Sequence, residues 1–229
     1  MPPNVTYALI PVITVLLGSI FAVWRRPGPK LVSAVQHMAA GVVFAAAAAE
    51  ILPQVKHGQS LWATFIGGTL GVVVMLSLKS LEGRWKGPVG MLSAIGIDIF
   101  IDGLVLGLAF LAGEKAGVLL TIALTLEVLF LGLTVTSELG ETIRSRRQIV
   151  AISVGLALLL PLGTIAATPV ALLSAPVITA FLAFGLVALL YLVTEELLVE
   201  AHEQTDSPLI TAMFFVGFLA LLLIEETLG

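Results

Sequence analysis

The chain has 229 residues, of which 59% are hydrophobic and 11% are charged, and its mean hydropathy is +1.11. Because soluble domains carry roughly a quarter of charged residues, this composition excludes a water-soluble fold and predicts an integral membrane protein. The absence of cysteine excludes disulfides and thiolate metal sites, and a net charge of −4 without a basic run argues against a nucleic-acid partner.

Eight apolar stretches, separated by clusters of proline, glycine and charged residues, follow one another along the chain. A bilayer core of about 30 Å needs about 20 helical residues, so each stretch can cross once. The first stretch has no basic residue before it and ends in bulky side chains, which favours a transmembrane helix over a cleaved signal. The glycines of the third, at 67, 68 and 71, predict close helix packing. We therefore expect an all-α integral membrane protein with one domain, residues 1–229, and spans at about 5–24, 31–52, 61–80, 89–112, 116–137, 149–167, 176–197 and 208–228.

The basic residues predict the orientation of these spans. Nine of the eleven Lys and Arg residues lie in the connections after spans one, three and five, whereas the opposite side holds only Lys56 and Lys115. Positively charged connections stay in the cytoplasm, so both termini are expected outside, in a protein that crosses the inner cell membrane many times. The segment after span seven is then expected to be an acidic cytoplasmic loop, with Glu200, His202, Glu203 and Asp206.

Three acidic residues lie near the centres of spans four and five, where a charge costs at least about 2.5–3.5 kcal/mol. At 1.5 Å per residue, Asp98 and Asp102 lie about 14 Å and 20 Å along span four, and Glu127 lies about 16 Å along the antiparallel span five. The i, i+4 spacing places Asp98 and Asp102 on one helix face. No Lys or Arg lies at that depth, so the three carboxyl groups are either protonated and hydrogen-bonded or bound to a cation. Because three acids lie at one depth, cation binding is favoured over three protonated carboxyl groups.

Further polar residues lie on either side of this level. Thr134 and Glu138 continue the helix face of Glu127 toward the cytoplasmic end of span five. Each of the others, taken alone, is typical of an interfacial residue, but together they indicate a candidate ion path. Its members are Glu195, Glu196, Glu138 and His37 on the cytoplasmic side, and Glu50 and Glu225 at the outer mouth.

Four segments of the chain share a further pattern. Span two has the small-residue-rich run His37–Val43 and ends in Glu50–Pro53, span four holds Asp98–Gly103, and the remaining segments are 191–202 and 217–229. This pattern resembles the ZIP family of divalent-metal transporters, whose fourth span carries His-Asn-x-Pro-Glu/Asp-Gly, and the resemblance covers nearly the whole chain. It implies eight spans with both termini outside, which agrees with the charge distribution.

The resemblance also implies a transport site between spans four and five. Asp98 stands at the family's span-four histidine, Asp102 at its carboxylate and Glu127 at the first polar ligand of span five. The departures from the family lie at the same place: Leu131 occupies the span-five carboxylate position, and hydrophobic residues replace the usual Asn and two prolines at Ile99, Ile101 and Phe130.

These departures affect the expected ion. With no central histidine, the two-metal site typical of the family is expected to be reduced to a site for one metal ion. A set of oxygen ligands favours Mn²⁺, Mg²⁺ or Fe²⁺ relative to an imidazole-containing zinc site, although carboxylates also bind Zn²⁺. The ion is expected as the substrate, no cofactor is expected, and the other partner is the lipid bilayer. Whether the protein is a homodimer is left open.

The expected function is therefore movement of a divalent metal ion toward the cytoplasm. One alternative is a proton-coupled transporter of another solute, in which the acids carry protons. Another is a degenerate relative that binds metal as a sensor or not at all, because Leu131 replaces an acid. We do not expect an enzyme, since Asp98 and Asp102 share one helix and the sequence has no His-Glu-x-x-His motif, nucleophile elbow or phosphate loop.

Overall fold

The computed structural model describes residues 3–24, 28–82, 88–143, 145–203 and 207–228, and within these ranges the chain is helical and has no β-strand. By length and composition, eight helical segments in the described residues can each cross a membrane. This confirms a multi-pass, all-α architecture. The helices are α1 Pro3–Trp24, α2 Pro29–His57, α3 Leu61–Glu82, α4 Pro88–Ala112, α5 Glu114–Thr142, α6 Arg146–Leu172, α7 Ala175–His202 and α8 Pro208–Leu228.

Helix boundaries follow local sequence signals. Pro29, Pro88 and Pro208 lie at the first turn of α2, α4 and α8, where a missing N–H costs nothing because that group has no partner inside the helix. Ser145 caps α6, its hydroxyl accepting a hydrogen bond from the backbone N–H of Gln148 at 3.4 Å.

Four spans extend five residues beyond their predicted ends. One of them, α5, continues past residue 137 to Thr142 as a regular α-helix, whereas the other three change their helical form. Helix α2 continues past residue 52 to His57 through a π-helical turn, Ala47–Ile51, and α7 continues past residue 197 to His202 through a second one, Leu192–Leu197. Proline 53 lacks an N–H and its ring crowds the preceding turn, and the wider π-helical turn directly before it accommodates the ring without ending the helix. Helix α6 continues past 167 to Leu172 as a 3₁₀ turn.

The eight helices form two groups of four. In the first group α1 packs mainly on α5 and α4 mainly on α6, with α4 also against α5. In the second group α2 packs mainly on α8 and α3 mainly on α7. The groups meet where α2 contacts α5 and where α4 contacts α7. Exchanging α1–α3 with α6–α8, and α4 with α5, turns the α1–α5 pair into the α6–α4 pair and the α2–α8 pair into the α7–α3 pair. The two π-helical turns lie at equivalent positions of α2 and α7. This is the pattern of an inverted repeat.

Glycines bring the paired helices into backbone contact. A Cβ atom at Gly163 of α6 would overlap the carbonyl oxygen of Phe100 in α4, and one at Gly103 of α4 would overlap that of Leu160 in α6. In the third span, a Cβ at Gly67 would overlap the carbonyl oxygen of Ala180, and α3 runs unbroken through this region. The predicted role in close packing is therefore confirmed for Gly67 and Gly71, whereas a Cβ at Gly68 would make only an ordinary contact with Val187.

Candidate metal site

Asp98, Asp102 and Glu127 meet between α4 and α5. One carboxylate oxygen from each lies within 4.8 Å of the other two. Asp102 and Glu127 are buried, with exposed fractions of 4% and 5%, and Asp98 is half-buried. The helical spacing on α4 and the antiparallel run of α5 therefore place the three acids together, as the sequence indicates. We call these three residues the carboxylate triad.

Two oxygens of the triad lack a hydrogen-bond partner in the described part of the chain. Asp102 and Glu127 lie close enough to share a side-chain hydrogen bond when one of them carries a proton. The second oxygen of each, Oδ2 of Asp102 and Oε2 of Glu127, is buried without any partner among the described residues. Leaving a buried acceptor unsatisfied costs about 1–3 kcal/mol, so both oxygens are positioned to gain from a ligand that brings positive charge.

A cavity of about 410 Å³ extends from the triad toward the predicted cytoplasmic end. Asp98 lies in its wall, so this residue belongs both to the triad and to the cavity. The wall comes from both helix groups, namely from α4 and α5 on one side and from α2, α3 and α7 on the other. Among the described residues, the charged members of the wall are Asp98, Glu195, Glu196, Glu200, Glu203 and Lys79, which are five acidic side chains and one basic side chain.

Some residues of the predicted cytoplasmic path line this cavity. Glu195 and Glu196 line it from the π-helical turn of α7. Thr134 lines it from α5, and its Oγ1 is buried with no hydrogen-bond partner within the described ranges. Glu138 lies further along α5, but its side chain is outside the described residues. The continuation of α7 to His202 also places Glu200 and His202 on a helix, where the sequence predicted a loop.

His37 lies away from the interface that the sequence predicted for it. Its side chain is fully buried between α2 and α7, because Ser33 and Gln36 of α2 draw the end of α7 against this turn. The hydroxyl of Ser33 donates to the carbonyl oxygen of Ala201 at 2.9 Å, and Nε2 of Gln36 donates to Oε2 of Glu200 at 2.9 Å. His37 therefore lies behind the cavity wall and does not line the cavity.

The predicted outer mouth contains an ion pair. Nζ of Lys115, near the start of α5, lies 3.0 Å from Oε1 of Glu225, near the end of α8. Glu50, in the π-helical turn of α2, interacts electrostatically with both. This cluster joins α5 of the first helix group to α2 and α8 of the second, at the end opposite the cavity.

The residues that depart from the ZIP pattern surround the triad with apolar surface. Phe130 and Leu131 line the cavity beside Asp98, while Ile99 and Ile101 are buried in the hydrophobic core. The triad is thus an all-oxygen site. Octahedral binding of an ion such as Mg²⁺, at about 2.0–2.1 Å from each ligand, places neighbouring oxygens about 3 Å apart, so modest side-chain rotation would close the present arrangement on an ion.

Two features of the structure, the length of α7 and the burial of His37, were not predicted although the sequence contains a signal for each. Glu200 and His202 follow Glu195 and Glu196 at helical spacing, which indicates that α7 continues. Gln36 and Ser33 precede His37 on the same helix, and a run of polar residues on one face of a membrane helix predicts a buried partner. Comparison with protein-family models gives no match, and comparison with curated proteins gives no significant match.

Proposed function

We propose that this protein moves a divalent metal ion through a membrane toward the cytoplasm, with Asp98, Asp102 and Glu127 as the ligands. The observation that carries the proposal is the buried carboxylate triad with its two unsatisfied oxygens. Uncompensated buried carboxylates are costly, and a divalent ion removes that cost by supplying both charge and coordination. Mn²⁺, Fe²⁺, Mg²⁺ and Zn²⁺ all accept such oxygen ligands. We also propose membership of the ZIP family, on the four sequence segments that resemble it.

The position of the cavity supports a direction for this movement. The acidic cavity leads from Asp98 to the predicted cytoplasmic end, whereas the Lys115–Glu225 ion pair ties the two helix groups together at the outer end. We infer an inward-open conformation with both termini outside. Because the triad belongs wholly to the α1–α4–α5–α6 group and the cavity lies between the groups, relative movement of the groups would expose the triad to the other side, as in elevator-like transport.

A proton-coupled transporter of another solute is the second candidate. It is favoured by the closeness of Asp102 and Glu127, since two carboxyl groups that can share a proton are suited to carry it across. The two candidates differ in their response to metal. A metal transporter requires the triad to bind a divalent ion, whereas a proton carrier does not.

The orientation can be tested with single cysteines, because the native chain has none. We expect a cysteine at exposed Ser145, before α6, to be protected from an impermeant thiol reagent added outside intact cells, because the connection between α5 and α6 is predicted to be cytoplasmic. A cysteine at exposed His57, at the end of α2, should react. The reverse labelling pattern would contradict the proposed inward direction.

The transport proposal is tested by uptake into proteoliposomes with Mn²⁺, Zn²⁺ and Mg²⁺ in parallel. We expect uptake of at least one of these ions by the wild type and at least a tenfold lower initial rate in Glu127→Gln, because each 1.4 kcal/mol of lost ligation is about a factor of ten. Glu114→Gln makes the same chemical change at an exposed residue of the same helix and should transport normally. Equal rates in the two variants would reject the triad as the transport site.

A further inference from the structure

The wall of the acidic cavity includes a basic side chain, that of Lys79 in α3, which neither the triad nor the candidate ion path uses. Among the described residues of the wall it is the single basic member, beside five acidic ones. A positive charge on the route proposed for a cation opposes the binding of that cation. The presence of Lys79 at this place therefore needs an explanation.

A contact with α7 determines where this charge lies. Nζ of Lys79 donates a long hydrogen bond, 3.4 Å, to the carbonyl oxygen of Glu195. Glu195 belongs to the π-helical turn Leu192–Leu197, which also contributes Glu196 to the cavity wall, and α3 packs mainly on α7. The ammonium group is therefore held beside the acids of this turn, in the helix group that does not contain the triad.

The rest of the wall favours a cation in the cavity. Gln36 lines the cavity and is almost fully buried, and its Nε2 donates to Oε2 of Glu200 at 2.9 Å. Oε1 of Gln36 and Oγ1 of Thr134 are both buried and have no hydrogen-bond partner among the described residues. Unsatisfied oxygens beside acidic side chains gain from a positive charge. An ion that leaves the triad would therefore be retained in the cavity if nothing opposed it.

The ammonium group of Lys79 opposes this retention because like charges repel. In water, a divalent ion about 8 Å from an ammonium group is bound about fivefold more weakly than it would be without that group. The same charge weakens the binding of a monovalent ion only about twofold. Salt reduces both effects, since the Debye length is about 8 Å at physiological ionic strength. The charge of Lys79 thus lowers the affinity of the cavity for a divalent ion without closing the route.

We propose that Lys79 is a tethered cation that weakens the binding of a divalent ion in the acidic cavity and thereby speeds release of the ion toward the cytoplasm. This inference rests on the proposed function, in which the ion passes from the triad through the cavity. It gives α3, which contributes no residue to the triad, a part in setting the rate of release. The positive charge carries the role, and the hydrogen bond to Glu195 only positions it.

The first test measures Mn²⁺ binding in detergent, with Asp102→Asn as the starting protein so that the triad does not compete for the ion. Lys79→Gln removes the charge but keeps a donor for the carbonyl of Glu195, and Lys79→Arg keeps the charge. Lys30→Gln makes the same change at an exposed residue of α2 outside the cavity wall. We expect about three- to fivefold tighter Mn²⁺ binding in Lys79→Gln than in the other two variants at about 10 mM salt, and a smaller difference at about 0.5 M.

The second test measures Mn²⁺ uptake into proteoliposomes with Asp102 intact. Tighter retention in the cavity should lower both KM and Vmax of Lys79→Gln by about threefold, whereas Lys79→Arg and Lys30→Gln should keep the wild-type values. If the wild type transports Mn²⁺ but Lys79→Gln matches Lys30→Gln in binding and uptake, or Lys79→Arg matches Lys79→Gln, the role of the Lys79 charge is overturned and the proposed function stands. Failure of the wild type to transport any divalent ion would reject the proposed function and, with it, the role in release.

Discussion

In Asp102→Asn, we expect the stabilisation of the protein by divalent ions to disappear while the metal-free protein keeps its stability or gains some. Asn keeps the size of Asp102 and can still bond Glu127, but it removes a charge that is costly to bury. An ion present at 100 times its dissociation constant stabilises a one-site protein by about 2.7 kcal/mol. Asp102→Asn should therefore lose about this much metal-induced stabilisation. The measurement is thermal unfolding in detergent, with and without Mn²⁺ and Zn²⁺.

The matched control for this result is Glu114→Gln, which removes a carboxylate from the exposed start of α5. It should respond to metal as the wild type does. If the three carboxyl groups were protonated structural groups, Asp102→Asn would change neither the stability of the metal-free protein nor its response to metal. Retained metal stabilisation in Asp102→Asn would therefore exclude Asp102 as a ligand.

The second large effect is expected from Asp98→His. An imidazole at residue 98 converts an all-oxygen site into one with a nitrogen ligand, which favours Zn²⁺ over Mn²⁺. Asp98 is half-buried at the junction of the triad and the cavity, so a larger ring has room to extend into the cavity. We expect the ratio of Zn²⁺ to Mn²⁺ affinity to rise at least about tenfold, or about 1.4 kcal/mol, in competition titrations.

Asp98→Asn provides the comparison for this change. It keeps an oxygen ligand and the size of the side chain but removes the charge, so both affinities should fall and the preference should stay near that of the wild type. An unchanged affinity ratio in Asp98→His would mean that residue 98 does not touch the ion.

The membrane architecture and the triad follow from strong signals in the sequence. Long apolar stretches have few alternatives to membrane helices, and the i, i+4 spacing of Asp98 and Asp102 fixes their common face before any tertiary contact is considered. Glu127 could be predicted as the third member of the triad because α4 and α5 are consecutive helices. Their short connection through Gly113 makes them run side by side.

Contacts between distant segments were the part that could not be predicted. Four spans lie between His37 in α2 and His202 in α7, and no local pattern shows that these two helices meet. The π-helical turns at Glu50 and Glu195 escaped prediction for a related reason: Pro53 normally predicts a helix boundary, and whether a wider turn accommodates it depends on the packing of neighbouring helices.

The most direct test of the triad is a titration of the purified wild type with Mn²⁺ at several pH values. A bound ion needs ionised carboxylates, so protons compete with it and binding releases them. We expect one ion bound per triad near pH 8, an affinity that weakens as the pH falls toward about 5.5, and loss of the ion in Asp102→Asn. A wild type that binds neither Mn²⁺ nor Zn²⁺ at any pH in this range would contradict the metal site and leave the proton carrier as the better account.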